Sequence, residues 1–352
     1  MTRPTTRASA RWLVALTLTS ACARGRCTDN KAPPMQPPRN VDVTERVLTI
    51  AEYEAVVYGP GPEATFVETS AIEHETIQAL IPKLFEAAQA SKPPDPRTWQ
   101  SEAAAAGFQI EIWTVSGGSY WALLERRDRA RGAGAYIFRV APDEDGPAIL
   151  LEAPHNYYDV GTGRLAAELF FSPPPGARPR ALFTNTMHRY QLAPGDKQRR
   201  RHNPADVAHA PLHAFSIATE AFAIAANGVR VIQLHGFGAR DDDDGDNGGD
   251  GGELGAVAMV VSAGDEAGSS PLTTALASEL VKQLGRDVKR FPEDVRFLGA
   301  TTNAQGRLLR RIDHAEFVHV EMSAELRKRL GDSARLRNEV AQILFNTSPA
   351  RD

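Results

Sequence analysis

From about residue 146 onward the chain alternates short runs rich in Val, Ile and Leu with stretches of helical periodicity, and this alternation constrains its fold more than any other feature. Ala148–Ala153, Arg180–Asn185, Val229–Leu234, Ala256–Ser262 and Phe317–Met322 read as strands. Arg164–Phe171, His213–Ala226, Leu272–Leu284 and a segment opening at Ala324–Leu330 read as helices, two of them stopped by Gly228 and Gly285. Strands apolar on both faces, interleaved with helices, predict an α/β domain: a mostly parallel mixed sheet sandwiched by helices. In such sheets ligands gather beyond the carboxyl ends of the strands. Polar residues that close the apolar runs are therefore the place to look for chemistry.

The first 143 residues differ. Arg3, Arg7 and Arg11 precede the apolar run Trp12–Leu18, and Thr19-Ser20-Ala21-Cys22 follows it. A basic region, a short apolar core and small residues before a cysteine predict a signal peptide over 1–22, too short for a permanent membrane span. Cys22 is the expected lipidation site, although Thr19 stands where such sites usually carry Leu. The expected location is export to a bacterial periplasm, free or held by an N-terminal lipid anchor. Residues 23–42, with Pro33, Pro34, Pro37 and Pro38, read as a tether. Residues 43–143 read as a small α+β layer. It has a helix built on Ile72, Ile77, Leu80, Ile81, Leu84 and Phe85, strands at Phe108–Val115, Ser119–Glu125 and Gly134–Val140, and a hairpin signal at Gly117-Gly118. Nothing in it suggests a catalytic group. Residues 144–348 form the expected second domain, interrupted by an acidic, glycine-rich insertion at 240–254 that lacks the ligand register of a calcium loop.

Composition narrows the chemistry. The net charge of −4 gives no global attraction to nucleic acid, and the short basic run Lys197–His202 reads as a solvated loop. The only cysteines are Cys22 and Cys27, so a thiolate metal site in the folded part is excluded, and any metal must be held by His and carboxylate.

Three segments supply those groups. His155 and Asp159 follow the strand at 148–153, in a turn that Gly161 and Gly163 permit. His235 closes the strand at 229–234 and precedes Gly236. Glu321 lies inside the apolar run Phe317–Met322, where an ionised carboxylate is costly without a partner. Two imidazoles and one carboxylate on a zinc ion leave a position open for water and a net positive site that acidifies it. Glu321 is then the expected general base. Each residue also has a plainer reading. A histidine after a strand is often just polar, Glu321 can cap the next helix or pair with an arginine, and His319 can be a supporting neighbour. His209 and His213, four apart, can share a metal on one helix face, whereas His74-Glu75 lacks the second histidine of a zincin helix.

Taken together, these segments resemble the zinc-dependent amidohydrolases related to zinc carboxypeptidases, in particular poly-γ-glutamate hydrolases and N-formylglutamate amidohydrolases. The first motif of the former, a histidine, an acidic residue and then Gly-Thr, is matched by His155, Asp159 and Gly161-Thr162, with Asp in place of Glu and one residue earlier. His235-Gly236 matches the next ligand, and Glu321-Met322-Ser323 with Leu326-Arg327 matches the element carrying the general base. The turn Thr302–Arg307 matches an Asn-containing turn. The likeness covers roughly 146–335 and implies a phosphorylase/hydrolase-like, zinc-carboxypeptidase-like fold. It implies Zn2+ as cofactor and hydrolysis of an amide bond in an acidic peptide-like or N-acyl amino acid substrate bearing a carboxylate. It further implies that Arg189 polarises a carbonyl or holds that carboxylate, with Asn185, Asn303 and Arg307 as substrate contacts. The alternatives are a degenerate member that binds zinc or ligand without turnover, and a purely structural lipoprotein.

Overall fold

In a computed structural model, which describes residues 43–59, 65–141, 148–176, 178–192, 203–226, 228–238, 257–312 and 315–349, the apolar runs form one ten-stranded mixed sheet. The strands are β1 (Thr44–Leu48), β2 (Phe108–Val115), β3 (Gly118–Glu125), β4 (Ala135–Arg139), β5 (Ala148–Ala153), β6 (Ala181–Thr184), β7 (Val229–Phe237), β8 (Met259–Ser262), β9 (Val288–Arg290) and β10 (Ala315–Ser323). Their spatial order is β1-β2-β3-β4-β6-β5-β7-β10-β8-β9. The centre, β6-β5-β7-β10, is parallel throughout, as strands separated by crossover helices require.

Helices cover both faces because the central strands β5, β6, β7 and β10 bury both sets of alternate side chains. On one face α1 (Ile50–Val57), α4 (Thr162–Phe171), α6 (Pro271–Leu284), α8 (Ala324–Asp332) and α9 (Ala334–Asn346) pack on Leu151, Ile232, Leu234, Val318 and Val320. On the other, α2 (Ala71–Ala88), α3 (Gln100–Ala105), α5 (Ala214–Ala225) and α7 (Ala304–Leu309) pack on Leu150, Phe183, Val229, Val231 and Phe317. Burying one such side chain fully is worth about 1.5–3 kcal/mol, so the two layers hold the strand ends firmly in register.

The boundary expected at 143/144 is not a break in the sheet. β4 pairs antiparallel with β6, Ala135 opposite Thr184, so the N-terminal layer continues the sheet that carries the site. The β2–β3 hairpin turns at Ser116 and Gly117, both at positive φ (49° and 78°) as a type I′ turn demands. That is one residue before the expected Gly-Gly pair, and Gly118 already belongs to β3. The edge strands β1 and β9 and helices α1, α3, α7 and α9 have no counterpart in the sequence reading. The expected signal peptide, Cys22, the tether, the basic run and the acidic insertion lie outside the described residues. Among the described residues no helix is long and apolar enough to cross a membrane.

Register lines up the functional positions. Glu152 of β5 is opposite Gln233 of β7, which is opposite His319 of β10. One step toward the carboxyl edge, His235 of β7 is opposite Glu321 of β10. Arg327 on α8 secures this edge by donating to the carbonyls of Val160 (2.9 Å), Phe237 (3.3 Å) and Met322. Its guanidinium lies across Gly236, where any Cβ would collide with it.

Candidate metal centre

The first loop is wound tightly after β5. The amides of Tyr158 and Asp159 both donate to the His155 carbonyl (2.8 and 2.7 Å), and Thr162 closes the turn on the Asp159 carbonyl through its amide (3.0 Å) and hydroxyl (2.8 Å). Gly161, at φ 95°, supplies the left-handed step into α4. The loop thereby buries both His155 and Asp159 beside the end of β7. Asp159 Oδ2 lies 3.3 Å from His235 Nδ1 and 3.7 Å from His155 Nδ1, and accepts the Gly236 amide at 3.0 Å. The two imidazoles meet edge to face with centroids 4.8 Å apart. His155, Asp159 and His235, taken from segments far apart in sequence, thus form a buried group with ligand atoms close enough to share one ion.

Each histidine is held from behind by its other nitrogen. His155 Nε2 lies 2.8 Å from Asp206 Oδ1. The other oxygen of Asp206 takes both Nε (3.1 Å) and Nη2 (2.6 Å) of Arg189, and His209 Nδ1 is 3.1 Å from it. Asp206 is presented by a turn in which Asn203 Oδ1 accepts the Ala205 amide (3.0 Å) and the Asn203 carbonyl accepts that of Asp206 (2.9 Å). On the other side, His235 Nε2 lies 2.8 Å from Gln233 Oε1.

Electrostatics separates the two rings. Burial and the Arg189 charge push the His155 pKa down, but Asp206 and Asp159 outweigh them, and the net direction is upward. Burial drives His235 down to about 4, only partly opposed by Asp159. Burial disfavours the Asp159 carboxylate, yet the imidazoles of His155 and His235 beside it hold it well below the ordinary range. Asp206 is likewise held low, against its burial, by His155, His209 and Arg189. For Arg189, burial is outweighed by Asp206, Tyr190 and Asp159, so it stays cationic; Tyr158 and Tyr190 flank it, each ring centroid 5.2 Å from the guanidinium carbon.

The donor set fits a divalent cation. His235 is flanked by two acceptor oxygens, Gln233 Oε1 on Nε2 and Asp159 Oδ2 on Nδ1, and a neutral ring has one proton for the two. His155 differs: its Nε2 faces Asp206, while its Nδ1 lies 3.7 Å from Asp159 Oδ2 and 3.4 Å from a donor, Arg189 Nη1. A cation between the Nδ1 atoms and Asp159 removes the conflict at His235. Two imidazoles and one carboxylate form a three-ligand set of the kind that leaves a fourth position open, and a carboxylate behind a ligating histidine is the usual outer support.

Glu321 sits on β10 across from His235, nine-tenths buried, and joins His235 and His319 in an overlapping group of potential ligands. His319 Nε2 is 3.7 Å from Glu321 Oε1, and its ring lies 4.5 Å from that of His235. Burial, with His235 nearby, pushes the His319 pKa far down, so it is a neutral neighbour of the carboxylate.

Other expected residues are placed differently. Asn303 is buried behind His235, its Nδ2 donating to Gln233 Oε1 (2.6 Å) while its Oδ1 caps α7 at the Gly306 amide (2.8 Å). Arg307 is exposed and donates to the Thr301 carbonyl (3.0 Å). Asn185 is fully buried at the end of β6, where its Oδ1 accepts the Met187 amide (3.3 Å). His209 and His213 do not act as a pair: His213 Nδ1 caps α5 at the Phe215 amide (3.0 Å) and stacks on Phe66, while His209 turns to Asp206. Sequence reasoning missed Asp206, Gln233 and Glu152. The last two carried a usable signal, since each is a polar residue at an inward position of an apolar strand, the same argument that singled out Glu321.

No protein-family model and no curated protein matches the sequence. Among solved structures the chain is similar to an N-formylglutamate amidohydrolase from Ralstonia eutropha (12% identity, 58% of this chain and 94% of that one, TM-score 0.33). It is also similar to an aspartoacylase family protein from Mesorhizobium loti (15%, 66% and 68%, TM-score 0.34) and to a gene product of Agrobacterium tumefaciens (16%, 56% and 89%, TM-score 0.35). These superpositions are loose, and the chemical reading rests on the residues of this chain.

Proposed function

We propose that this chain is an exported zinc-dependent hydrolase of an amide bond in a small or peptide-like substrate carrying a carboxylate. The observation that carries the proposal is the buried meeting of His155 Nδ1, Asp159 Oδ2 and His235 Nδ1, with Glu321 one strand across. In this reading His155, Asp159 and His235 hold the ion, which when bound supplies Lewis acidity and lowers the pKa of water. Glu321 takes a proton from the attacking water as the carbon–oxygen bond forms, and returns it to the nitrogen as the carbon–nitrogen bond breaks. Its buried position beside a neutral His319 and across from His235 suits a group that must change charge during turnover. Arg189, fixed by Asp206 between two tyrosines with its Nη1 3.4 Å from His155 Nδ1, stands beside the ion's place, where its remaining N–H groups can meet the carbonyl oxygen or a substrate carboxylate as a permanently charged planar donor. Amide chemistry and the acidic substrate follow from the motif resemblance; export and a lipid anchor follow from the N-terminal sequence.

The test combines metal analysis of the purified protein with turnover on N-acyl amino acids and γ-glutamyl peptides. The expected result is about one zinc per chain, with turnover abolished in His235→Ala and lowered about 10²–10⁴-fold in Glu321→Gln while zinc is retained. Undiminished hydrolysis by both variants overturns the mechanism.

A further inference from the structure

Behind His235 lies a buried polar row that the proposed reaction does not use. Glu152, Gln233 and His319 occupy facing register positions on β5, β7 and β10, and Glu152, Gln233 and Gln305 are fully buried. Every hydrogen bond in this row has a direction. Gln305 Nε2 donates to the Val207 carbonyl (2.8 Å) and to Ser216 Oγ (2.7 Å), which leaves Gln305 Oε1 as an acceptor facing Gln233 Nε2 at 3.2 Å. Glu152 Oε2 accepts from the same Gln233 nitrogen at 2.8 Å, and its Oε1 is bound to Thr219 Oγ1 at 2.5 Å. Asn303 is fixed by its capping bond to Gly306, so its Nδ2 donates to Gln233 Oε1 at 2.6 Å.

The Gln233 amide is therefore pinned at both ends, with two acceptors at its nitrogen and a donor at its oxygen. Turning it over would set its N–H groups against the Asn303 donor and its oxygen against two acceptors. Each buried mismatch of that kind costs about 1–3 kcal/mol. The same arrangement survives a change of charge on Glu152. Burial pushes that carboxyl up to about 7, but when Oε1 carries a proton Thr219 can accept it and donate instead to the Phe215 carbonyl, 3.0 Å away.

We infer that Gln233, locked by Glu152, Gln305 and Asn303, is a positioning residue that dictates the tautomer of His235. A fixed oxygen at 2.8 Å from Nε2 requires the proton there and leaves the Nδ1 lone pair toward Asp159. The alternative is real, since Asp159 Oδ2, 3.3 Å from Nδ1, is itself a strong acceptor that would draw the proton to that side. A neutral amide thus does for His235 what the Asp206 carboxylate does for His155, without adding negative charge. The inference rests on the metal-site reading for its purpose, but not for its geometry.

The experiment is nitrogen NMR of the histidine rings in metal-free, full-length protein near neutral pH, together with zinc titration. Wild type is expected to show His235 protonated at Nε2. In Gln233→Leu the proton moves to Nδ1 and zinc affinity falls about 10–100-fold, the range seen when outer partners of metal ligands are lost. Glu152→Gln, whose oxygen can still accept from Gln233 while its amide faces Thr219, keeps the wild-type pattern; Glu152→Leu shows a mixture of tautomers. A wild-type ring protonated at Nδ1 overturns the inference even if no variant folds, as does a Gln233→Leu spectrum and zinc affinity that match wild type. If wild type takes up no zinc but the tautomer moves as described, the inference stands and the metal-hydrolase reading fails.

Discussion

His155 and His235 present the same nitrogen to the same carboxylate, but they are braced in opposite ways. Behind His155 stands an anion, Asp206, gripped by Arg189 and His209, and the ring is pushed toward protonation. Behind His235 stands an uncharged amide, and the ring is pushed toward neutrality, down to about 4. Two anionic braces in one buried site would place three carboxylates around two rings, and burying uncompensated charge is expensive. One ionic and one amide brace orient both imidazoles while keeping the charge in balance. The difference teaches that two imidazoles turned to one carboxylate can be oriented alike and yet be held toward different charge.

The largest test of this contrast is to remove each brace. Asp206→Ala strands the buried Arg189 cation and is expected to cost about 3–5 kcal/mol of stability. Gln233→Leu loses hydrogen bonds without exposing a charge and should cost about 1–3 kcal/mol. Urea unfolding measures both, and equal losses would break the comparison. A third histidine sharpens it. His213 is buried with no carboxylate bonded to its ring, and burial holds it down to about 4. The folded state then binds fewer protons than the unfolded state between about pH 6.5 and pH 4, so stability rises with pH across that window and is lost on acidification. The loss amounts to about 3 kcal/mol. His213→Asn, which keeps a capping side chain, should flatten that part of the stability profile; an unchanged slope would show that the ring is not held neutral by burial. An effect no larger than that of Gln233→Leu, and not confined to one ring, comes from Gly236→Ala. It touches the oxygen the two rings share, by pushing Arg327 away and loosening the amide that Asp159 accepts. A cost of about 1–3 kcal/mol with weaker zinc binding is expected, without favouring either ring in NMR.

How far the sequence went is clear from the same residues. His155, Asp159, His235 and Glu321 were legible because each follows or interrupts an apolar run, the first three next to glycines that permit tight turns. The sandwiched sheet was legible for the same reason, since strand and helix periodicities are local. The braces were not. Asp206 reaches His155 across 51 residues, through a turn whose pattern announces only a turn. Gln233 and Glu152 meet only because β5 and β7 pair in one register, which neither strand specifies alone. The continuity of the sheet across residue 143 was hidden because β4 and β6 pair over an intervening strand and helix. His209 and His213, with the right spacing for one helix face, were separated because the helix begins only at Ala214.

Arg327 gives the short first loop a further meaning. By gripping the backbone oxygens of Val160, Phe237 and Met322, a side chain 167 positions downstream fixes how many residues fit between His155 and the start of α4. An inserted residue there would pull Val160 off its anchor, and a longer acidic side chain at position 159 would overreach the space the anchor leaves. Loop length, acid type and a distant arginine thus meet in one mechanical unit.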